Sequence, residues 1–341
     1  MKQKTWPSQS RTSPFSALPL SKPHQISKPH NPKSFIFNHP IIPHLISSPS
    51  EHHHQHRDFS SLPYDLLNKV ASGFSQRDLN AASLVCKSWN DGLRPMREAM
   101  LLLRWGKRFK HGRAGVRANL DKALDSFLKG AARGSSLAMV DAGLVYWEMG
   151  KREEGVSLYR KAAELGDPAG QCNLALAYLQ ADFANPKEAV KLLLQSASAG
   201  HVRAQYQLAL CLHHGRGIAR NIQEAAKWYL RAAEGGYVRA MYNVSLCYSV
   251  GEGFAKSHPQ AKKWMRRAAD HGHGKAQFEH GLNLFSEGDL SKAVVYLELA
   301  SRAGETGASH VKDVIIQQLS AASRERAMRL AENWRALPSS R

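Results

Sequence analysis

The sequence lacks any stretch of 18 consecutive apolar residues, so no membrane-spanning helix is expected. Its most apolar stretch, residues 35–46, is interrupted by Pro40 and Pro43. Cysteine is scarce too, because the 341 residues include only four, widely spaced and without a Cys-x-x-Cys pair. This spacing argues against a disulfide framework or a zinc site and favours buried apolar roles in a reducing compartment.

Acidic residues are absent from the first 50 positions, which are rich in serine, proline and basic residues. Such a segment cannot bury enough apolar surface to offset its ordering entropy, which predicts a disordered basic tail over residues 1–57. Organelle transit peptides share this composition. We therefore expect a nuclear or cytoplasmic protein, with an organelle as the alternative if the tail acts as a transit peptide.

Recognisable catalytic and metal-binding patterns are missing as well. The glycine pairs Gly215/Gly217 and Gly251/Gly253 follow helical patterns, whereas a phosphate-binding loop follows a strand. The histidines within 52–56 have no second cluster to complete a metal site. We therefore predict no catalytic residue, no cofactor, no metal and no enzymatic activity.

The net charge of +19 is unevenly distributed along the chain. Residues 1–57 carry seven basic residues and one acidic residue, and residues 94–117 carry eight and one. Residues 118–304 carry 23 basic and 18 acidic residues, so most of the folded mass is nearly balanced. This distribution disfavours a nucleic-acid partner and is equally compatible with an acidic protein partner near residues 94–117.

From Asn119 onward the sequence repeats itself every 32 to 36 residues. Small residues precede a glycine in each repeat, Ala or Gly follows four residues later, and Leu follows ten residues after the first five glycines. This pattern predicts a pair of helices in each repeat. The second helix is expected to end at the glycine, because glycine adopts a left-handed backbone conformation at little cost in free energy. Asn119 and Asn185-Pro186 are predicted to begin second helices. We call these six the marker glycines: Gly134, Gly166, Gly200, Gly236, Gly272 and Gly304.

Ahead of the repeats, residues 62–90 predict three short helices, the second beginning near Gln76 and the third spanning roughly residues 83–92. A three-helix core this small usually needs a partner. The segment resembles the F-box family, although Gly73 and Ser75 depart from the usual pattern and are expected to loosen the first interhelix turn. The residues that carry the resemblance are Leu62, Pro63, Leu66, Leu67, Val70, Phe74, Asp78, Leu79, Val85, Cys86, Lys87 and Trp89.

The repeats resemble the Sel-one-like branch of the tetratricopeptide superfamily, most fully at residues 215–233 and 251–269. The resemblance implies an F-box protein of plant type. Its expected fold is all-α, with a small three-helix F-box followed by an α-solenoid of helix-turn-helix repeats. The predicted domains are a tail at 1–57, an F-box at 58–100, a basic junction at 101–118, repeats at 119–304, and a single capping helix with a tail at 305–341.

The resemblance implies the substrate-recognition adaptor of a Skp–cullin–F-box ubiquitin ligase, whose repeats bind a client protein. The open alternatives are a non-catalytic repeat scaffold, with the N-terminal helices as a cap, and an organelle-imported protein that contacts RNA. By family analogy, the residues expected to dock the Skp-type adaptor, and through it the cullin, are Leu62, Pro63, Leu66, Val70, Leu84, Val85 and Trp89. The residues predicted to contact an acidic or phosphorylated client are Arg203, Lys227, Arg239 and Lys263.

Overall fold

The computed structural model describes residues 62–71, 73–180 and 183–338. Every regular element in these ranges is an α-helix, which confirms the predicted all-α fold. The tail predicted at 1–57 lies outside the described residues. No helix within the described ranges is both long and apolar enough to cross a membrane.

Three helices precede the repeats: α1 (Tyr64–Ala71), α2 (Gln76–Ala82) and α3 (Lys87–His111). Ser75 caps α2 through a reciprocal pair of bonds with Asp78, in which the Ser75 hydroxyl accepts from the Asp78 N–H and the carboxylate accepts from the Ser75 N–H. The expectation that Ser75 loosens this turn is therefore wrong, because its side chain fixes the start of α2. The small core of these helices consists of Leu67, Ala71, Leu79 and Leu93.

The predicted end of the third helix near residue 92 is wrong, because α3 continues for 25 residues to His111. Gly92 does not terminate the helix but packs against α1. A Cβ atom at Gly92 would lie 3.0 Å from Cδ2 of Leu67. Consequently the predicted boundary between residues 100 and 101 falls inside one helix, and most of the predicted junction at 101–118 is helical.

The remaining helices form antiparallel pairs that stack in chain order. Helix α3 packs against α4, so it completes the first repeat, where the sequence indicated only half a pair. The other pairs are α5 with α6, α7 with α8, α9 with α10, α11 with α12, and α13 with α14. Their bounds are α4 (Leu120–Ala131), α5 (Ser136–Glu148), α6 (Arg152–Glu164), α7 (Pro168–Tyr178), α8 (Pro186–Ser198), α9 (Val202–His214), α10 (Ile222–Glu234), α11 (Val238–Val250), α12 (His258–Asp270), α13 (Gly274–Ser286) and α14 (Leu290–Arg302).

The predicted repeat register is confirmed by the backbone. Each second helix ends two or three residues before a marker glycine, and all six marker glycines have φ between +78° and +91°. Asn119 and Asn185 cap α4 and α8 through their side chains, as the sequence indicated. Small residues let the paired helices approach, since a Cβ atom at Gly143 would lie 2.5 Å from Cε1 of Tyr159.

The prediction of one terminal helix at 305–341 is wrong, because two helices follow α14: α15 (Thr306–Gln317) and α16 (Ala321–Asn333). Ser320 begins the second of them by accepting a hydrogen bond from the N–H of Ser323. The segment after α16 returns to the repeats, where the Leu337 N–H donates to the Asp270 carbonyl at 3.0 Å. Helices α15 and α16 both pack against α14, and the segment after α16 returns to α12, so these elements cover the end of the solenoid.

Candidate protein-binding surfaces

Five large apolar side chains on α1 and the turn before α3 remain exposed: Tyr64, Leu66, Val70, Leu84 and Val85. We call this set the N-terminal apolar surface. Helix α1 turns Leu67 and Ala71 into the core, which leaves Leu66 and Val70, one turn apart, on the solvent side. Leu84 is 85% exposed. It lies in a tight turn held by two backbone hydrogen bonds, in which the N–H groups of Leu84 and Val85 donate to the carbonyls of Ala81 and Ala82.

The structure separates the seven predicted adaptor-docking residues into two groups. Leu62 and Trp89 are half-buried and pack against the core of the three helices, so they support the fold at least in part. The exposed Tyr64, next to Pro63, was not among the predicted docking residues, because it lies outside the Leu-Pro and leucine positions of the F-box pattern. The exposed predicted residues are Pro63, Leu66, Val70, Leu84 and Val85.

The N-terminal apolar surface places five exposed large apolar side chains on a bundle of three helices. Burying one such side chain completely stabilises a complex by roughly 1.5–3 kcal/mol. Contiguous exposed apolar surface on a soluble protein is typical of a protein interaction site. The surface therefore has the chemistry of a docking site for a protein with a matching apolar groove.

Basic residues of α3 are largely engaged by the folded chain. Arg97 donates to the Ser83 hydroxyl at 2.8 Å and to the Asn90 side-chain oxygen at 2.7 Å, which ties α3 to the turn before it. Lys107 and Lys110 form ion pairs with Asp141 and Glu148 of α5, and Arg133 pairs with Glu98. Part of the charge predicted to attract an acidic partner at 94–117 therefore joins α3 to the repeats.

The four predicted client-binding residues lie on two different layers of the solenoid. Arg203 and Arg239 occupy the same register of the first helices α9 and α11, three residues after a marker glycine. Lys227 and Lys263 occupy the second helices α10 and α12. The structure therefore does not bring the four together into one site.

On the second-helix layer, basic side chains have local structural roles. Lys227 forms an exposed pair with Glu224, three residues earlier on the same helix. The guanidinium groups of Arg231 and Arg267 lie over the rings of Trp228 and Trp264, at 4.5 and 4.7 Å from the ring centroids. This layer therefore shows a repeated stabilising contact rather than a ligand site.

On the first-helix layer, a third basic residue continues the register. Lys275 of α13 follows Gly272 by three residues, as Arg203 and Arg239 follow their glycines, and the sequence interpretation missed it. We call Arg203, Arg239 and Lys275 the basic row. Arg239 and Lys275 are exposed and Arg203 is half-buried. The shared spacing from the marker glycine is the sequence signal that would have identified Lys275.

Aromatic and imidazole rings join successive first helices of this layer. Tyr206 and Tyr237 have ring centroids 4.8 Å apart, and Tyr242 stacks on His273 at 4.7 Å. Burial lowers the pKa of His273 to about 4, and the charges of Arg239 and Lys275 lower it in the same direction. His273 is therefore neutral at pH 7, which lets its Nδ1 accept the N–H of Ala276 at the start of α13.

The cysteines take no part in either surface beyond packing. Cys172, Cys211 and Cys247 are buried, and burial raises their thiol pKa values to about 12, 11 and 12. Cys86 caps α3, where its Sγ accepts from the Trp89 N–H at 3.5 Å. The three buried thiols are therefore protonated and unreactive at neutral pH.

Comparison with known proteins identifies both parts of this architecture. The F-box domain family matches residues 59–94. The Sel1 repeat family matches residues 99–135, 150–167, 168–201, 202–237, 238–273 and 275–305, more than half of the chain. The chain belongs to the F-box proteins with Sel1 repeats. Its first repeat begins inside α3, as the packing of α3 against α4 indicates.

One similar protein is F-box protein At1g70590 of Arabidopsis thaliana. This chain is 64% identical to it over 354 aligned positions, and the alignment covers all of both chains. The similarity confirms the plant-type F-box protein that the sequence pattern indicated. At the level of the family, this architecture supports the role of a non-catalytic adaptor of Skp–cullin–F-box type.

Solved structures of other repeat proteins share the fold. A Sel1 repeat protein from Oxalobacter formigenes is 23% identical, with a TM-score of 0.56 over 67% of this chain and 98% of that chain. The protective antigen c5321 of uropathogenic Escherichia coli is 22% identical, with a TM-score of 0.60 over 80% of this chain and 63% of that chain. At this level of identity the likeness concerns the fold alone.

Proposed function

We propose that this protein is the substrate-recognition adaptor of a Skp–cullin–F-box ubiquitin ligase. The N-terminal apolar surface docks the Skp-type adaptor, which in turn binds the cullin. The repeats bind a client protein and present it for ubiquitin transfer. The ligase chemistry is supplied by other subunits, and this chain contributes recognition and position.

The exposed apolar side chains at the N-terminus carry the proposal. Leu66, Val70, Leu84 and Val85 each expose nearly half or more of their surface, although leucine and valine are usually buried. The core beneath them is complete without them, since Leu67, Ala71, Leu79 and Leu93 are already buried. These exposed residues are therefore available to a foreign subunit without any rearrangement of the three helices.

Helix α3 supports the second half of the proposal, the presentation of a client. Its first half packs against α1 and α2, and its second half packs against α4. The described residues between 62 and 338 accordingly belong to one compact unit. A client held on the repeats would keep a fixed orientation relative to the docked adaptor, which ubiquitin transfer to defined lysines requires.

Adaptor capture with the double variant Leu84→Asp/Val85→Asp tests the docking step. Two carboxylates at the centre of an apolar contact would remove its apolar gain and leave buried charges, so affinity for a purified Skp-type adaptor should fall at least about 30-fold. Both side chains are exposed in the free protein, so the thermal unfolding midpoint should stay close to that of the wild type.

The matched control is Leu165→Asp/Leu194→Asp, which alters two exposed leucines of the repeats, 59% and 50% accessible. It introduces the same charge and should leave adaptor affinity unchanged. Equal capture of the wild type and the Leu84→Asp/Val85→Asp protein would reject adaptor docking through this surface. Leu62→Asp is a weaker test, because Leu62 packs against the core and its loss would damage the fold itself.

The packing of α3 against α4 also favours a second function, in which the N-terminal helices cap a scaffold with no ubiquitin role. A cap would bury its apolar side chains against the repeats, whereas the N-terminal apolar surface faces solvent. The two functions differ in adaptor binding. A wild-type protein that binds no Skp-type adaptor at micromolar concentration would favour the scaffold.

A further inference from the structure

The basic row is a continuous feature of three successive repeats. Burial raises the pKa of the Tyr237 hydroxyl, and the charges of Arg203 and Arg239 both oppose that rise. Arg239 and Lys275 likewise both act on His273. The three cations occupy the same position of α9, α11 and α13, and ring contacts join the starts of these helices in succession, so the cations take equivalent places on the first-helix layer.

Helices α9 and α11 carry the same sequence of chemical groups beyond their basic residue, whereas α13 has Glu279 at the position of the amide. Four residues after Arg203 and Arg239 come the amides Gln207 and Asn243, both half-buried. The Asn243 amide opposes the rise that burial causes in the pKa of the Tyr206 and Tyr229 hydroxyls. Half-buried leucines follow on the next turn of each helix: Leu210, Leu246 and Leu282.

Positive charge is concentrated at α9 and α11 within this layer. The equivalent positions of α5 and α7 are Leu137 and Ala169, which carry no charge. Farther along the first-helix layer, Glu279 of α13 accepts a hydrogen bond from the Tyr242 hydroxyl at 2.7 Å. The face therefore offers cations, amides and leucines in register, with its positive centre around Arg203 and Arg239.

We infer that this face binds an extended, acidic segment of the client. Asp or Glu side chains of the segment pair with Arg239 and Lys275, side-chain amides of the first helices bond its backbone, and the leucines contact its apolar side chains. The inference rests on the proposed function in one respect, because it names the class of client that the repeats select.

Charge decides against two other occupants of the face. The chain's own tail, residues 1–57, carries seven basic residues and one acidic residue, so the basic row repels it. RNA would need phosphate contacts along a longer cationic track, but residues 118–304 carry 23 basic and 18 acidic residues and are nearly balanced in charge. A short acidic segment of a polypeptide matches the positive charge of the basic row, and its apolar side chains can contact the leucines.

The test uses the full chain and a fluorescein-labelled peptide in which Glu alternates with Leu and Ser. A peptide of about 12 residues spans about 40 Å when extended, enough to cross several helices. Fluorescence anisotropy measures its affinity for the wild type, for Arg239→Glu/Lys275→Glu and for Lys227→Glu/Lys263→Glu. The last variant is the matched control, since it reverses two exposed lysines on the other layer.

We expect the wild type to bind the Glu peptide and the Arg239→Glu/Lys275→Glu variant to bind it at least about tenfold more weakly, because two ion pairs become repulsive. The control variant should bind within about twofold of the wild type, and a peptide with Gln in place of Glu should lose affinity. Raising the salt concentration should weaken only the Glu peptide.

Four outcomes would overturn the inference: no binding of the Glu peptide, equal binding of the Gln peptide, an equal loss in the control variant, or an RNA oligonucleotide that binds more tightly and competes at the same residues. Circular dichroism verifies that each variant is folded. Adaptor capture by the Arg239→Glu/Lys275→Glu variant should match the wild type. Failure of peptide binding with normal adaptor capture would thus reject this face while leaving the adaptor function intact.

Discussion

In the repeats the large side chains Tyr159, Tyr229 and Phe127 are completely buried, whereas five large apolar residues between positions 64 and 85 are exposed. Each repeat has neighbours on two sides that cover its apolar faces. Within the described residues, helices α1 and α2 pack mainly against α3. The repeats therefore bury their largest side chains between neighbouring helices, whereas the N-terminal helices leave uncovered the apolar side chains that we propose bind another subunit.

The two regions also differ in how they fix their backbone turns. The repeats use the left-handed marker glycines at every second-helix end. Helix α2 instead begins with a side-chain cap, and the bond from Ser75 lowers the pKa of the Asp78 carboxyl. The repeats therefore combine left-handed glycines at helix ends with side-chain caps at helix starts, such as Asn119 and Asn185, whereas the turn before α2 relies on the Ser75 cap.

The largest expected effect that separates the two regions comes from truncating one residue in each. Tyr229→Ala removes a fully buried ring that packs against Tyr206 and should lower the free energy of unfolding by about 3–5 kcal/mol. Leu84→Ala removes a side chain that already faces solvent and should change it by no more than about 0.5 kcal/mol. Urea unfolding followed by circular dichroism measures both.

A comparable loss in the two variants would mean that Leu84 has a structural role and that the contrast is false. A small loss for Tyr229→Ala would mean that the repeat core is looser than the burial of its side chains indicates. Leu165→Ala, at an exposed position of the repeats, serves as the control for truncation of a surface leucine.

A smaller expected effect is the loss of stability of the repeats at acidic pH. Burial lowers the pKa of His273 to about 4, below the value of about 6.5 in an unfolded chain. Between these values the unfolded state binds more protons, so the stability from neutral His273 is fully present above pH 6.5 and is lost as the pH falls toward 4. Lowering the pH from 7 to 5 should therefore destabilise the repeats by roughly 1–2 kcal/mol at this site.

Hydrogen exchange at pH 7 and pH 5, corrected for intrinsic rates, measures this difference by region. His201, His213 and His280 also have lowered pKa values because of burial, whereas residues 62–94 contain no histidine. Protection should thus fall in the repeats and hold in the N-terminal helices. The variant His273→Asn keeps a capping acceptor without titrating and should lose part of the effect. An unchanged pH response in that variant would contradict the assignment.

Local rules made much of the repeat region predictable from sequence. The marker glycines and the caps Asn119 and Asn185 act within a few residues of their own positions, so their spacing indicated the helix ends correctly. Gly92 was misread for the same reason. A glycine usually ends a helix, but this one provides close contact with Leu67 and Tyr64, which only the tertiary structure reveals.

The candidate surfaces were only partly predictable. The F-box pattern indicated Leu66, Val70, Leu84 and Val85, but it could not separate them from Leu62 and Trp89, which pack inward. The four residues predicted to bind a client came from two layers, first helices and second helices. Their regular spacing along the chain did not show which helix of each pair carries them. Lys275 became evident once the first helices were seen as one face.

The most direct measurement of the central claim is side-chain footprinting of residues 62–89 with and without a purified Skp-type adaptor. The free protein should react readily at Tyr64, Leu66 and Leu84, and the adaptor should protect these side chains several-fold while Leu165 and Leu194 of the repeats keep their reactivity. Unchanged reactivity at Tyr64, Leu66 and Leu84 in the presence of saturating adaptor would contradict the claim that this surface exists to be covered by another subunit.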